Sequence, residues 1–182
     1  MSPHRLCLSA DEQRFEGNKS MNTTIRDYQN SDFDQFVKIN EDFQDYLVVI
    51  DPLKRCRRLP EFGKRYVQRM VERVNKEQGK LLVAENGGKL IGFGTTVIEE
   101  QTEDDKLETV ESKIGHVIEL YVDEEYRGQG IGKQLMAELE TYLRTEGCTV
   151  ILIEVFSPNT NAYEFYKNFG YQDRMVTMIK VI

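Results

Sequence analysis

The stretch Leu120–Lys133, with the sequence LYVDEEYRGQGIGK, passes from an apolar strand through a glycine-rich turn into a helix. Glycines have no Cβ and allow backbone N–H groups to converge on an anion, and the first turn of a helix adds free N–H donors and the positive end of its dipole. The turn is therefore predicted to bind phosphate, mainly through the backbone amides of residues 129–133. Arg127 and Lys133 would add side-chain charge.

Two common phosphate-binding motifs do not fit this turn. A dinucleotide fingerprint that starts at Gly128 would need a glycine at Lys133, and a P-loop would need a glycine at Arg127. The pattern that fits is Arg-x-x-Gly-x-Gly, formed by Arg127, Gly130 and Gly132. The structural alternative is a turn whose glycines only let the helix pack closely.

Hydrophobic periodicity and turn residues predict the elements on both sides of this turn. Before it we predict a strand at 23–28, helices from Ser31 or Asp32 to about Val49 and from about Pro60 to Glu77, a hairpin at 81–100 around Gly87-Gly88, a polar loop at 101–112 and a strand at 114–123. After it we predict an amphipathic helix at 130–146, a central strand at 149–156 covered on both faces, a short helix at 159–168 ending at Gly170 and a closing strand at 171–181. Hairpins mixed with crossovers predict a mixed sheet.

Composition limits the function. A chain of 182 residues with a net charge of −7 predicts one globular domain and argues against a nucleic-acid binder. No apolar run is long enough for a bilayer, so no membrane partner is expected. Three scattered cysteines and two histidines predict a cytoplasmic protein without a metal site. Residues 1–20 have no periodicity and are interpreted as a disordered or non-native tail, with Met21 as a hypothetical start.

Charge is unevenly distributed along the chain. Residues 54–76 are rich in Lys and Arg, whereas residues 99–111 are rich in Asp and Glu. Both segments are explained by solvated surfaces. The alternative is that the acidic segment attracts a cationic substrate while basic residues help to hold an anionic one.

A second motif follows the glycine turn, Asn159-x-x-Ala162-x-x-x-Tyr166-x-x-x-Gly170-Tyr171. With both motifs in this order, the region from Ile114 to Tyr171 resembles the GNAT superfamily of N-acetyltransferases. The resemblance implies that residues 21–182 form a single-domain acyl-CoA acyltransferase fold of the α/β (α+β) class. Its mixed central sheet would have six to seven strands, flanked by about four helices.

The resemblance also implies that acetyl-CoA is the cosubstrate and that its pantetheine arm lies between the strands at 114–123 and 149–156. The residues implied in cosubstrate binding are Leu120, Tyr121, Val122, Arg127, Gly128, Gln129, Gly130, Ile131, Gly132, Lys133, Asn159, Ala162, Tyr163 and Tyr166. Tyr166 matches the family tyrosine to which the acid role is often assigned. Its alternative role is that of a packed helix aromatic.

Attack by an alkylamine with a pKa of about 10 requires a base, because the amine is mostly protonated at neutral pH. Glu119 and His116 are the candidates on the strand beside the cosubstrate, and solvent is the alternative. Their separation of three residues places them on opposite faces of a regular strand unless a bulge intervenes.

The predicted reaction transfers acetyl to a primary amine of a small molecule by direct attack in a ternary complex. Position alone suggests Phe43, Tyr46 and Phe62 as walls of the acceptor site. The alternatives are acetylation of a protein N-terminus or lysine, transfer of a longer acyl chain, and a non-catalytic acyl-CoA-binding module. The apolar segment Met175–Val181 suggests a homodimer formed by edge pairing.

Overall fold

The computed structural model describes residues 23–181, and the predicted tail and start at Met21 lie outside them. The strands are β1 Thr23–Asp27, β2 Lys80–Asn86, β3 Lys89–Glu99, β4 Ile114–Val122 and β5 Val150–Ile153. The α-helices are α1 Phe33–Ile50, α2 Phe62–Lys76, α3 Glu103–Glu108, α4 Ile131–Thr145 and α5 Thr160–Asn168, with single 3-10 turns at Asn30–Asp32 and Glu124–Tyr126. Within residues 23–181, no helix has both the length and the apolar content that a membrane span requires.

The five strands form one mixed sheet in the order β1-β2-β3-β4-β5. Strands β1 to β4 are antiparallel to their neighbours, and β5 is parallel to β4. The β2–β3 link has positive φ at Gly87 (59°) and Gly88 (84°), which confirms the predicted tight hairpin. The predicted mixed sheet is thus confirmed.

The sheet separates two apolar layers. Helices α1 and α2 cover one face, where Phe36 and Val67 pack against Phe93 of β3. Helix α4 covers the other face with a fully buried row that includes Leu139 and Leu143. A Cβ on Gly115 of β4 would lie 2.6 Å from Leu143 Cδ1, so this glycine permits the close approach of α4.

Three predictions about the elements are wrong. The stretch 101–112 is not all loop, because Thr102 caps the short helix α3 by accepting from the Asp105 N–H at 3.1 Å. The strand predicted at 149–156 is shorter, and it is the edge strand β5 rather than a central one. The closing strand at 171–181 is absent within the described residues, so the sheet has five strands rather than six or seven.

The segment 171–181 shows why the closing strand was overpredicted. Its apolar side chains are exposed, Met178 by 89%. A segment rich in apolar and β-branched residues forms a strand only if it pairs with a neighbouring edge and packs on a surface. The homodimer predicted through Met175–Val181 stays a prediction.

Candidate active site

The two parallel strands separate halfway along β4. Strand β5 pairs with β4 from Ile114 opposite Val150 to Val117 opposite Ile153. Beyond Val117, β4 runs on to Val122 with only β3 as a strand neighbour among the described residues. The second half of β4 therefore has one backbone edge without a strand partner. The gap between this edge and the chain that follows β5 is called the opening below, and β4 runs along it towards the glycine turn.

A β-bulge lies at the place where the strands separate. Thr95 of β3 is opposite Glu119 and Thr96 is opposite Val117, so Ile118 is an extra residue on β4. Because opposed residues share a face, the bulge brings His116 and Glu119 to the same side of the sheet, the side covered by α1 and α2. The opposite-face arrangement expected for a regular strand does not occur.

Glu119 is held by a tyrosine from α2. The Tyr66 hydroxyl donates a hydrogen bond to Glu119 Oε1. Burial raises the pKa of the Glu119 carboxyl to about 7, and the hydrogen bond from Tyr66 opposes this shift. A carboxyl with a pKa near neutrality is half ionised at physiological pH, which is the property that a general base needs.

His116 is engaged in a different contact. Its Nδ1 lies 2.8 Å from Glu99 Oε1, and the same carboxylate oxygen accepts from Arg73 Nη2 at 3.2 Å. This group joins β3, β4 and α2 at the start of β4. His116 Nδ1 is thus engaged with the carboxylate of the Arg73–Glu99 ion pair, and the roles of His116 and Glu119 as bases stay predictions.

Tyr166 lies on α5 in the layer that contains α4. It is 8% exposed, and its ring centroid is 5.3 Å from Phe165 and 6.0 Å from Tyr171. Burial and the negative charge of Glu119 raise the pKa of the Tyr166 phenol. The phenol is therefore protonated over the physiological range, as an acid must be before it donates a proton.

The glycine turn has the geometry predicted for an anion site. Gly128 and Gly130 have φ values of 76° and 85°, and a Cβ at either would meet no atom within 4 Å. The surface in front of both glycines is consequently open. The first bond back into α4 is from the Gln134 N–H to the Gly130 carbonyl at 3.0 Å, as expected at a helix start.

Five residues of the predicted site meet at the C-terminal end of β4. Arg127 Nε donates to the Val122 carbonyl at 2.9 Å, and the guanidinium carbon lies 4.9 Å from the centre of the Tyr46 ring. The Tyr46 hydroxyl donates to Asn159 Oδ1 at 3.2 Å, and this oxygen also accepts from the Ala162 N–H at 3.2 Å. Tyr46 thus links α1 to the start of α5 beside the opening.

The other predicted cosubstrate residues are divided between the two layers. Leu120 and Ala162 pack in the layer of α4 and α5, whereas Tyr121 packs on the other face, 5.1 Å from Phe43. The Ile131 side chain is buried, so only its backbone remains for a ligand. The exposed residues are Gln129, Lys133 and Tyr163, and the Tyr163 hydroxyl donates to Asp173 at 2.8 Å.

Sequence reasoning missed Tyr66. Its spacing within α2 matches that of the apolar residues of the helix, and its ring stacks on Phe62 with centroids 5.2 Å apart. The only available signal was a hydroxyl-bearing residue on that stripe. Within residues 23–181, the structure has no group of three or more His, Cys, Asp or Glu side chains placed to hold a metal.

The separation of two parallel strands above a glycine-rich helix start places the chain in a known structural class. It matches the BH1408 protein of Bacillus halodurans with a TM-score of 0.74 at 20% identity, over 87% of this chain and 99% of that one. It also matches the aminoglycoside N-acetyltransferase AAC(6')-Iy in complex with CoA, with a TM-score of 0.69 at 13% identity, over 92% and 99% of the two chains. These similarities establish the fold.

Residues 37–171 match the acetyltransferase (GNAT) family, and the chain belongs to it. An N-alpha-acetyltransferase of Sulfurisphaera tokodaii is 28% identical over 159 residues, covering 87% of this chain and 85% of the relative. An uncharacterized N-acetyltransferase of Methanocaldococcus jannaschii is 44% identical over 61 residues, but this covers 33% of this chain and 39% of the relative. The resemblance drawn from the two motifs is confirmed.

Proposed function

We propose that the protein transfers an acetyl group from acetyl-CoA to a primary amine by direct attack in a ternary complex. The observation that carries the proposal is the opening between β4 and β5, which leads along the free edge of β4 to the glycine turn. An extended chain with amide groups fits beside a strand edge, and a diphosphate fits at a helix start.

The residues present fit this cosubstrate. Gly128 and Gly130 leave the space in front of the turn open, so a diphosphate can approach the amides of residues 129–133. Arg127 and Lys133 supply positive charge at the same end of the opening. Acetyl-CoA would supply the acetyl thioester, and the backbone of Leu120–Val122 would accept its pantetheine arm.

The two candidate catalytic groups suit an acyl transfer. Ionised Glu119 takes a proton from the acceptor ammonium, and the free amine then forms a bond to the acetyl carbon. The bond from that carbon to sulfur breaks, and the departing thiolate takes the proton of Tyr166. The nitrogen gives up its remaining extra proton to the Tyr166 phenolate, which leaves a neutral amide, a thiol and a restored phenol. Support comes from the pKa of about 7 at Glu119 and from the raised pKa of Tyr166.

A protein N-terminus is the second candidate acceptor. It is favoured by the relative from Sulfurisphaera tokodaii, which is named an N-alpha-acetyltransferase and aligns over most of both chains. The small-molecule amine and the protein N-terminus require the same base and the same donor site. The two acceptors differ in the group attached to the reacting amine, which is the rest of a small molecule in one case and a polypeptide in the other.

Thiol release from acetyl-CoA in the presence of a panel of small amines and short peptides tests the proposal. We expect release that depends on the acceptor and yields an acetylated amine by mass spectrometry. Tight CoA binding without turnover on any acceptor would instead indicate a non-catalytic acyl-CoA-binding module. Turnover only with longer thioesters would indicate an acyltransferase of another chain-length class.

Replacing Tyr166 by Phe is expected to lower kcat about tenfold with little change in KM for either substrate. The effect is smaller than that of many acid–base groups because a thiol of pKa about 8.5 leaves with modest assistance. Steady-state kinetics measures it. Tyr142→Phe is the control. Tyr142 lies on α4 away from the opening, and its hydroxyl donates to the Gln78 carbonyl at 2.8 Å. Equal losses in both variants would contradict the acid role.

A further inference from the structure

An open cavity of about 490 Å³ lies on the outer side of α2, beside two residues that contact Tyr66. It is lined by Arg57, Leu59, Pro60, Phe62, Arg65, Gln68, Arg69 and Glu72. Three of these residues are arginines and one is an acid, so the cavity has a surplus of positive charge. The function proposed above does not use it.

The three arginines are not neutralised by the protein. Arg58 is paired with Asp45 at 2.7 Å and Arg73 with Glu77 at 2.8 Å, although both are close to the cavity residues in sequence. By contrast, Arg57, Arg65 and Arg69 make no ion pair with any carboxylate of the described part of the chain. Guanidinium groups without a carboxylate remain available to bind phosphate or carboxylate in a bidentate manner.

The wall of the cavity is fixed to the rest of the molecule. Asp51 is 3% exposed and accepts from the N–H groups of Leu53 at 2.9 Å and Cys56 at 2.7 Å, which fixes the turn after α1. The Gln44 side chain then donates to the Arg57 carbonyl at 3.1 Å. The segment that carries Arg57 is thus tied to α1, and a ligand would meet a preformed surface.

The cavity is connected to the candidate base through two residues. Phe62 lines the cavity and stacks on Tyr66 at 5.2 Å, and the Arg69 guanidinium carbon lies 5.9 Å from the centre of the same Tyr66 ring. Tyr66 in turn donates its hydroxyl hydrogen to Glu119. Tyr66 therefore lies between a group bound by the arginines and the Glu119 carboxyl, which would receive the amine proton.

We infer that the acceptor carries an anionic group, a phosphate or carboxylate, and that Arg57, Arg65 and Arg69 bind this group while the amine lies at Glu119. The inference rests on the proposed function, whose substrate class it narrows. It departs from the expectation that the acidic segment 99–111 selects a purely cationic acceptor. Acetyl-CoA is not expected to occupy the arginine-lined cavity. Its predicted diphosphate site, the glycine turn, packs on the α5 side of the molecule through Gly132 and Phe165.

The test compares acceptors that differ only in the anion. One pair is 6-aminohexyl phosphate and 6-aminohexanol, whose chain is long enough to pass Tyr66, and the other is a short peptide with Glu or Gln at its second position. We expect a lower KM for the anionic member of at least one pair. The pair that responds distinguishes a small phosphorylated amine from an acidic peptide as the source of the anion.

The double variant Arg57→Gln/Arg65→Gln should raise KM for the anionic acceptor about 10-fold to 100-fold and leave the neutral acceptor unchanged. Lys64→Gln/Lys76→Gln is the matched control, because it removes the same charge from exposed positions of α2 that do not line the cavity. Equal KM values for anionic and neutral acceptors, or equal effects of the two double variants, would overturn the inference.

Calorimetry separates this inference from the proposed function. The compound 6-aminohexyl phosphate should bind the wild-type protein with and without saturating CoA, and should bind the arginine variant at least tenfold more weakly. Such binding without turnover would refute the transferase proposal and retain the anion site. If the arginine variant loses affinity for CoA itself, the cavity serves the donor and the inference is wrong.

Discussion

The Glu119→Gln variant is expected to lose kcat on the order of 100-fold to 1000-fold, because the amide cannot accept the proton of the acceptor ammonium. The loss should fall on kcat rather than on KM for acetyl-CoA, because Glu119 is remote from the predicted donor site. Glu119 lies on the face of the sheet covered by α1 and α2, whereas the glycine turn lies at the start of α4. Steady-state kinetics in which the acetyl-CoA concentration is varied at saturating acceptor measures both quantities.

The pH dependence of the rate tests the same assignment, because the direction of the change can be predicted. The carboxyl acts as a base only when ionised, so the wild-type rate should rise with pH through the Glu119 pKa of about 7. In Glu119→Gln this limb should disappear, leaving a shallower rise that follows deprotonation of the amine near pH 10. Tyr66→Phe should move the limb to higher pH, because the lost hydrogen bond normally lowers the Glu119 pKa.

Glu99→Gln is the matched control for the loss of a carboxylate. Glu99 lies at the end of β3 and is paired with His116 and Arg73, so its replacement should lower stability slightly and leave the pH profile unchanged. A wild-type profile in Glu119→Gln would refute the base assignment. The same limb lost only in a His116 variant would transfer the role to the histidine.

Gly130→Ala should weaken CoA binding on the order of 100-fold. A residue with a Cβ resists φ of 85°, and relaxation of this strain would turn the amides of the turn away from the diphosphate. Losing two hydrogen bonds to a charged group accounts for an effect of this size. Calorimetric titration with CoA measures the change.

Gly147→Ala controls for backbone strain. Gly147 ends the same helix, has φ of 83°, and likewise has no atom within 4 Å of an added Cβ. Both variants should unfold at similarly reduced urea concentrations, whereas only Gly130→Ala should lose affinity for CoA. Unchanged affinity in both variants would show that the diphosphate is bound elsewhere.

The sequence predicts what local chemistry determines. Positive φ at Gly87, Gly88 and Gly130 follows from the choice of glycine in a turn, and the spacing of the apolar residues in α2 and α4 determines their buried faces. The donor end of the site depends on such local features. The sequence can therefore propose its residues, and their role in binding stays a prediction.

The acceptor end depends on contacts between distant segments. The bulge at Ile118 arises from the register of β4 against β3 and has no local signature, so sequence alone could not choose between Glu119 and His116. Tyr66 is separated from Glu119 by 53 residues. For the same reason the apolar segment within 171–181 predicted a strand, although it pairs with no sheet edge among the described residues.

In the proposed reaction, most donor contacts would come from the layer of α4 and α5, and the acceptor would lie mainly against the layer of α1 and α2. This division would affect how the chain can evolve. Mutations can accumulate in the second layer and explore new chemistry while the first keeps its shape. This separation would allow acceptor specificity to change by mutation while binding of the acetyl donor is retained.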